Sequence, residues 1–130
     1  MTERKKKYVL EMIHEAWQGY VRYAAQRARR LYQESHKGWF GRDPIRNVIA
    51  SMGTLYITNC HQDFQKADEY VKLKLDITKL NDENIVGYFI TDYIGGLLEV
   101  YALTQKVWYL DKAREIAIHI KKAYDSPSGR

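Results

Sequence analysis

The sequence predicts an all-α protein built from successive helical hairpins, and three observations carry that prediction. Apolar residues recur at i, i+3 and i+4 steps along most of the 130 residues. Alternation with a period of two is never sustained, so little or no strand is expected. Finally, the chain repeats itself at an offset of 46 residues, most visibly in Lys66-Ala67-Asp68-Glu69 and Lys112-Ala113-Arg114-Glu115. At the same offset Met52 falls on Leu98, Leu55 on Tyr101, Ile57 on Leu103, Thr58 on Thr104 and Phe64 on Leu110. Each unit is a helix, a short turn and a second helix. Two such units behind a leading helix suggest the hairpins of a helical toroid or solenoid, with a small closed bundle as the alternative arrangement.

The first helix spans about residues 4–33, with Val9, Ile13, Ala16, Trp17, Tyr20, Ala24 and Leu31 on its inward face and Met12 and Tyr23 widening the stripe. Residues 34–42 break the pattern, with Gly38 and Gly41 as loop formers. Asp43-Pro44 then reads as an N-cap followed by proline at the first helical position, where its missing N–H costs nothing. Ile45, Val48, Ile49, Met52, Leu55 and Tyr56 continue at helical spacing, Asn59 and Cys60 mark a turn, and Phe64, Ala67, Val71 and Leu75 outline a third helix. After the polar stretch 76–83, Asn81 or Asp82 caps a fourth helix that buries Val86, Phe89, Tyr93, Leu97, Leu98 and Tyr101. Gly95-Gly96 inside it costs about 1 kcal/mol per glycine in helix propensity, which points to close approach of a neighbouring helix. A fifth helix follows residues 104–106 and turns Leu110, Ala113, Ile116, Ala117, Ile120 and Tyr124 inward, and Pro127 ends it.

Composition bounds the answer without giving a function. With 45% hydrophobic and 28% charged residues the chain suits one domain, residues 1–130, and wholesale disorder is excluded. No apolar run approaches the roughly 18–20 residues of a membrane span. The opening MTERKKKYVL lacks the apolar block of a secretory signal. Residues 1–46 hold eleven Lys/Arg against five Asp/Glu, while the remainder holds ten against eleven. That basic bias could serve nucleic acid or an anionic membrane; a solvated helix face explains it more simply. Arg22, Arg27, Arg29 and Arg30 do not share one face squarely, so nucleic acid is not the expected partner.

Reactive chemistry is sparse. His14, His36, His61 and His119 show no metal-ligand spacing with one another, and Cys60 is the lone cysteine, so no metal site is expected. Cys60 has only His61 nearby to activate it and reads as a small buried hydrophobe. There is no phosphate-cradling glycine loop and no serine in a nucleophile elbow. The eleven tyrosines and three tryptophans lie mostly on inward stripes and serve packing, although aromatics of this kind also suit sugar rings.

Several strings, in order and at the right separations, resemble the N-terminal part of glycoside hydrolase family 47, the class I α-1,2-mannosidases and the related degradation-enhancing mannosidase-like proteins. Ala16-Trp17-Gln18-Gly19-Tyr20 with Tyr23-Ala24 resembles the family's first helix, and Trp39-Phe40-Gly41 the loop after it. Thr54-Leu55-Tyr56-Ile57 is similar to its D-T-L-Y-I, with Phe64 and Ala67 at the spacing of E-F-x-x-A. Gly95-Gly96-Leu97-Leu98 with Tyr101 and Leu103 resembles G-G-L-L-x-x-Y-x-L, while Lys112-Ala113 and Ser126-Pro127-Ser128-Gly129 also fit. The resemblance covers nearly the whole chain. It implies the first few helices of an (αα)7 barrel, an endoplasmic reticulum or Golgi setting, a high-mannose glycan as ligand, and calcium as the family's cofactor.

The departures fall on the chemistry. Inverting hydrolysis needs one carboxylic acid and one carboxylate about 6.5–9.5 Å apart. The two aspartates of the family's D-x-L-D-T align with Ala50 and Gly53, and the E-x-x-x-R pair with Tyr88 and Asp92. The acids of a D-E-L string align with Ala28 and Arg29. None of these replacements offers the missing base near neutral pH at the right place. The resemblance thus implies a degenerate partial relative with no catalytic residues, no cofactor or metal of its own, and no activity alone. The alternative is a helical interaction module, because a partial barrel leaves apolar faces for a protein partner or a second copy. Compartment stays open, since neither signal nor anchor is read in these residues.

Overall fold

A computed structural model describes residues 2–24, 44–79 and 89–121, and no strand occurs among the described residues. The chain divides into two units, Met1–Pro44 and Ile45–Arg130, each taken by itself below.

In the first unit, Thr2 adopts extended backbone and its hydroxyl accepts from the Lys5 amide, so it caps helix α1 (Glu3–Gly19). Five residues of π-helix, Tyr20–Ala24, continue it. Trp17 is buried and stacks at a tilt on Tyr20, with ring centroids 5.7 Å apart. The inward stripe expected here is narrower than the sequence suggests. Leu10, Ile13 and Tyr20 are half-buried, whereas Val9, Met12, Ala16 and Tyr23 are exposed. At 100° per residue, Met12 lies about 140° from Trp17, farther round the helix than one contact face reaches. The expected continuation to residue 33, the loop glycines and Leu31 lie outside the described residues.

The second unit holds two hairpins. Helix α2 (Pro44–Ile57) starts at the proline, as expected, and buries Val48, Ile49, Met52 and Leu55. Its turn places Asn59 at φ 58°, and helix α3 (His61–Lys74) follows, burying Phe64, Ala67 and Val71. Tyr56 and Phe64 close this hairpin edge to face, 5.3 Å apart. Asp76 then accepts from both the amide and the hydroxyl of Thr78, opening a short 3-10 turn at Ile77–Lys79. In the second hairpin a π-helical segment, Phe89–Ile94, runs directly into α4 (Gly95–Thr104), so the glycine pair sits mid-helix as expected. Helix α5 (Val107–Lys121) follows after Gln105 and Lys106 and buries Tyr109, Ala113, Ile116 and Ile120. Asp43, Asn81, Asp82, Val86, Tyr124 and Pro127 lie outside the described residues.

Two inward assignments shift. Leu98 and Ala117 are exposed, while Val100 and Tyr109 are buried instead. The π-helical turns ahead of Gly95 advance fewer degrees per residue than an α-helix, so extrapolation at 3.6 residues per turn misplaces the α4 face. That face is rotated toward Gly96, where a β-carbon would come within 2.5 Å of Ile49 Cγ2 and 3.8 Å of its backbone carbonyl carbon. The close approach read from Gly95-Gly96 is therefore real, and Ile49 makes it.

The 46-residue repeat survives in detail. The left-handed residues are Asn59 and Gln105, and the second helices begin at His61 and Val107. Thr58 Oγ1 donates to Thr54 O and Thr104 Oγ1 to Val100 O, both at 2.7 Å. Each pair is separated by the same offset. Equivalent residues also touch: Arg46 meets Asp92, and Gly53 lies under Glu99. Two contacts in matching register make α2 and the 89–104 helix parallel neighbours, the relation that stacked hairpins have.

Candidate functional site

The positions where the sequence departs from the mannosidase pattern split between described and undescribed residues. Ala28, Arg29 and Tyr88 lie outside the described residues. Ala50, Gly53 and Asp92 gather along the junction of α2 with the 89–104 helix. Ala50 sits exposed on α2 and carries no polar group. Gly53, one turn on, is buried because the Glu99 side chain crosses it; a β-carbon at 53 would lie 2.6 Å from Glu99 Cδ. Asp92 pairs with Arg46, Nε to Oδ2 at 3.3 Å, and accepts from Thr91 Oγ1 at 3.3 Å. Arg46 and Glu99 were not singled out by the sequence reading. The signal that could have found them is the repeat, since each stands 46 residues from a singled-out position.

This junction holds two carboxylates and a guanidinium, arranged for packing. Asp92 is engaged by Arg46. Glu99 lies folded onto α2 at Gly53, with no ion pair or hydrogen bond among the described residues. Calcium takes six to eight oxygen ligands at about 2.3–2.6 Å. Ala50 and Gly53 supply no side-chain oxygen, and Asp92 is committed to a cation, so these positions do not fit the ion.

A second polar cluster, unforeseen from the sequence, joins α3 to α5. The Tyr109 hydroxyl donates to Asp68, which also receives Lys72 Nζ at 3.0 Å and Lys106 Nζ at 3.5 Å. Lys106 caps the face of Phe64 at 5.5 Å, while Lys72 and Lys112 both lie 5.8 Å from the Trp108 ring centre. Burial works to raise the Asp68 pKa, but the Tyr109 and Lys72 hydrogen bonds and the charges of Lys106 and Lys72 outweigh it. The carboxyl is held below its ordinary 3.8. Burial, then the Asp68 hydrogen bond and charge, push the Tyr109 phenol well above its ordinary range. A phenol so raised is a poor proton donor in catalysis. The cluster works as a strut that satisfies a buried acid.

The profile of glycosyl hydrolase family 47 matches residues 12–130. A mannosyl-oligosaccharide 1,2-alpha-mannosidase of Arabidopsis thaliana is 33% identical, covering 98% of this chain and 22% of its own length. One from Caenorhabditis elegans is 29% identical, with 98% and 22% covered, and the human mannosyl-oligosaccharide 1,2-alpha-mannosidase IC is 30% identical, with 98% and 20% covered. The chain spans about a fifth of the length of these curated relatives. No solved structure gives a significant match.

Proposed function

The chain belongs to glycosyl hydrolase family 47, and from that membership we propose a part of a mannosidase-type helical domain that has no catalytic activity by itself. Both units are read as one domain, because the family match runs across them. One observation carries the reading: at the α2 junction Ala50 and Gly53 bear no acid, and Asp92 is taken up by Arg46. Inversion at an anomeric carbon needs a proton donor and a water-activating base held on opposite sides of the bond. Here Asp92 is held by Arg46, and Glu99 lies over Gly53. The relatives' names, mannosyl-oligosaccharide 1,2-alpha-mannosidases and in one case an endoplasmic reticulum enzyme, support N-glycan processing, and family membership supports an endoplasmic reticulum or Golgi setting with high-mannose glycan as the ligand class. The test is mannose release from a high-mannose glycan, with calcium and with chelator. No release is expected from this chain, and calcium-dependent release would overturn the proposal.

A second reading, as an interaction module, draws on Ile57, Leu73, Val107 and Ile118, which are large, apolar and exposed on the two hairpins. It expects self-association, or a protein partner, measurable by sedimentation. A monomer that binds no hydrophobic dye would remove it. No helix among the described residues is long and apolar enough to cross a membrane.

A further inference from the structure

The N-terminal end of α1 combines two features that the helix itself does not need. Arg4, Lys5, Lys6 and Lys7 follow one another and all are exposed. Lys7 reaches Glu11 at 3.9 Å, while Arg4, Lys5 and Lys6 have no side-chain ion pair among the described residues. Cations in the first turns stand at the positive end of the helix dipole, so their placement works against helix stability, and in the first turn only Glu3 opposes them. Beside them Tyr8, Val9 and Met12 are 64%, 44% and 52% exposed. With Lys5 these three occupy a sector of about 100°, on a side of the helix other than the one that buries Trp17.

We propose that the N-terminal half of α1 lies on a lipid surface bearing anionic headgroups. Tyr8, Val9 and Met12 enter the boundary between headgroups and acyl chains, while Lys5 within their sector and Arg4 at its edge reach the headgroups on their long stems. Complementarity selects this occupant. A nucleic acid would use the cations and leave the three apolar side chains in water, whereas an anionic bilayer uses both. At 17 residues, with four cations and three acids, α1 lies along the surface and does not cross it.

The full chain is sedimented with vesicles of phosphatidylcholine alone and of phosphatidylcholine mixed with phosphatidylserine, at low and at physiological salt. Binding is expected only to the serine-containing vesicles and weakens as salt rises. Arg4→Gln and Lys5→Gln each lower the partition coefficient about five-fold. Met12→Ser lowers it about ten-fold with an unchanged salt slope. Circular dichroism shows that these exposed-site variants keep their helix content. The proposal is overturned by equal binding to both vesicles or to neither, by a Met12→Ser chain that binds like the parent, or by competing RNA or duplex DNA that strips the chain from the vesicles.

Discussion

The two hairpins, residues 44–74 and 89–121, close their turns with the same chemistry and differ where they meet. In the turns, a threonine hydroxyl bonds back one helical turn and the next residue goes left-handed, at Thr58-Asn59 and again at Thr104-Gln105. At the junction, equivalent positions face each other, and a repeat cannot put the same group on both sides. Two arginines at 46 and 92 would repel, and two long side chains at 53 and 99 would collide. The chain instead sets Arg46 against Asp92 and Gly53 under Glu99. The turns thus share one backbone solution, while the positions that face each other across the junction differ. That constraint bears on the missing acids too: Asp92 complements Arg46, so its departure from the family string has a packing reason.

The largest expected effect breaks the hairpin equivalence at the core. Met52 is fully buried, yet its counterpart Leu98 is 41% exposed. Met52→Ala should cost about 2–5 kcal/mol in denaturant unfolding, against under about 1 kcal/mol for Leu98→Ala. Equal losses would mean that the second hairpin is covered in solution as the first is, and would favour self-association.

Much of this architecture was legible in the sequence, for identifiable reasons. Helix spacing over α2 and α3 reports burial well, because Val48, Met52, Phe64, Ala67 and Val71 each point into one packed layer. The doubled glycine announced a close crossing, because only the absence of a side chain at 96 admits Ile49. Asp68 was hidden for the opposite reason. With Lys72 four residues on, it looks like an ordinary surface pair, and nothing local says that Tyr109, 41 residues away, will bury it. Of the candidate site, the positions Ala50, Gly53 and Asp92 were legible from motif alignment. Their partners Arg46 and Glu99 were missed, because no motif marks them and only the 46-residue register pairs them across helices.

That strut gives the next largest effect. Tyr109→Phe removes the hydrogen bond to Asp68 and should cost about 1.5–3 kcal/mol near neutral pH, toward the low end because Lys72 and Lys106 remain. The pH dependence has a definite sign. A carboxyl held below 3.8 when folded contributes stability that is present above 3.8 and lost as pH falls through the folded value. The gap between parent and variant should therefore narrow as pH falls below 3.8 through the lower folded value. A gap that stays unchanged in acid would mean that the hydroxyl's contribution does not depend on the Asp68 charge.

The two junction glycines separate a stiff contact from a soft one. At Gly96 a β-carbon meets Ile49, a β-branched side chain with no exposure, so Gly96→Ala should cost about 1–2 kcal/mol despite its gain in helix propensity. At Gly53 the obstacle is the far end of Glu99, which can swing into water. Gly53→Ala should be neutral, or stabilising by up to about 1 kcal/mol. A large loss at 53 would show that Glu99 is fixed, and that the junction is a built polar site.

The smallest effect tests whether the two turns are as equivalent as their geometry. Asn59 and Gln105 share almost the same φ, 58° and 59°, but asparagine tolerates the left-handed region better than glutamine because its short amide bonds locally. Glycine removes the steric cost at either site. Gln105→Gly should therefore stabilise by about 0.5–1 kcal/mol, reduced somewhat because the Gln105 amide gives up its 3.1 Å bond to Ala102 O. Asn59→Gly should gain only a few tenths of a kcal/mol. If both gain alike, residue identity does not matter in these turns and backbone geometry sets their cost. If Gln105→Gly loses stability, the side-chain bond to Ala102 holds the second hairpin's turn, and the two copies have diverged in side-chain chemistry despite their shared backbone.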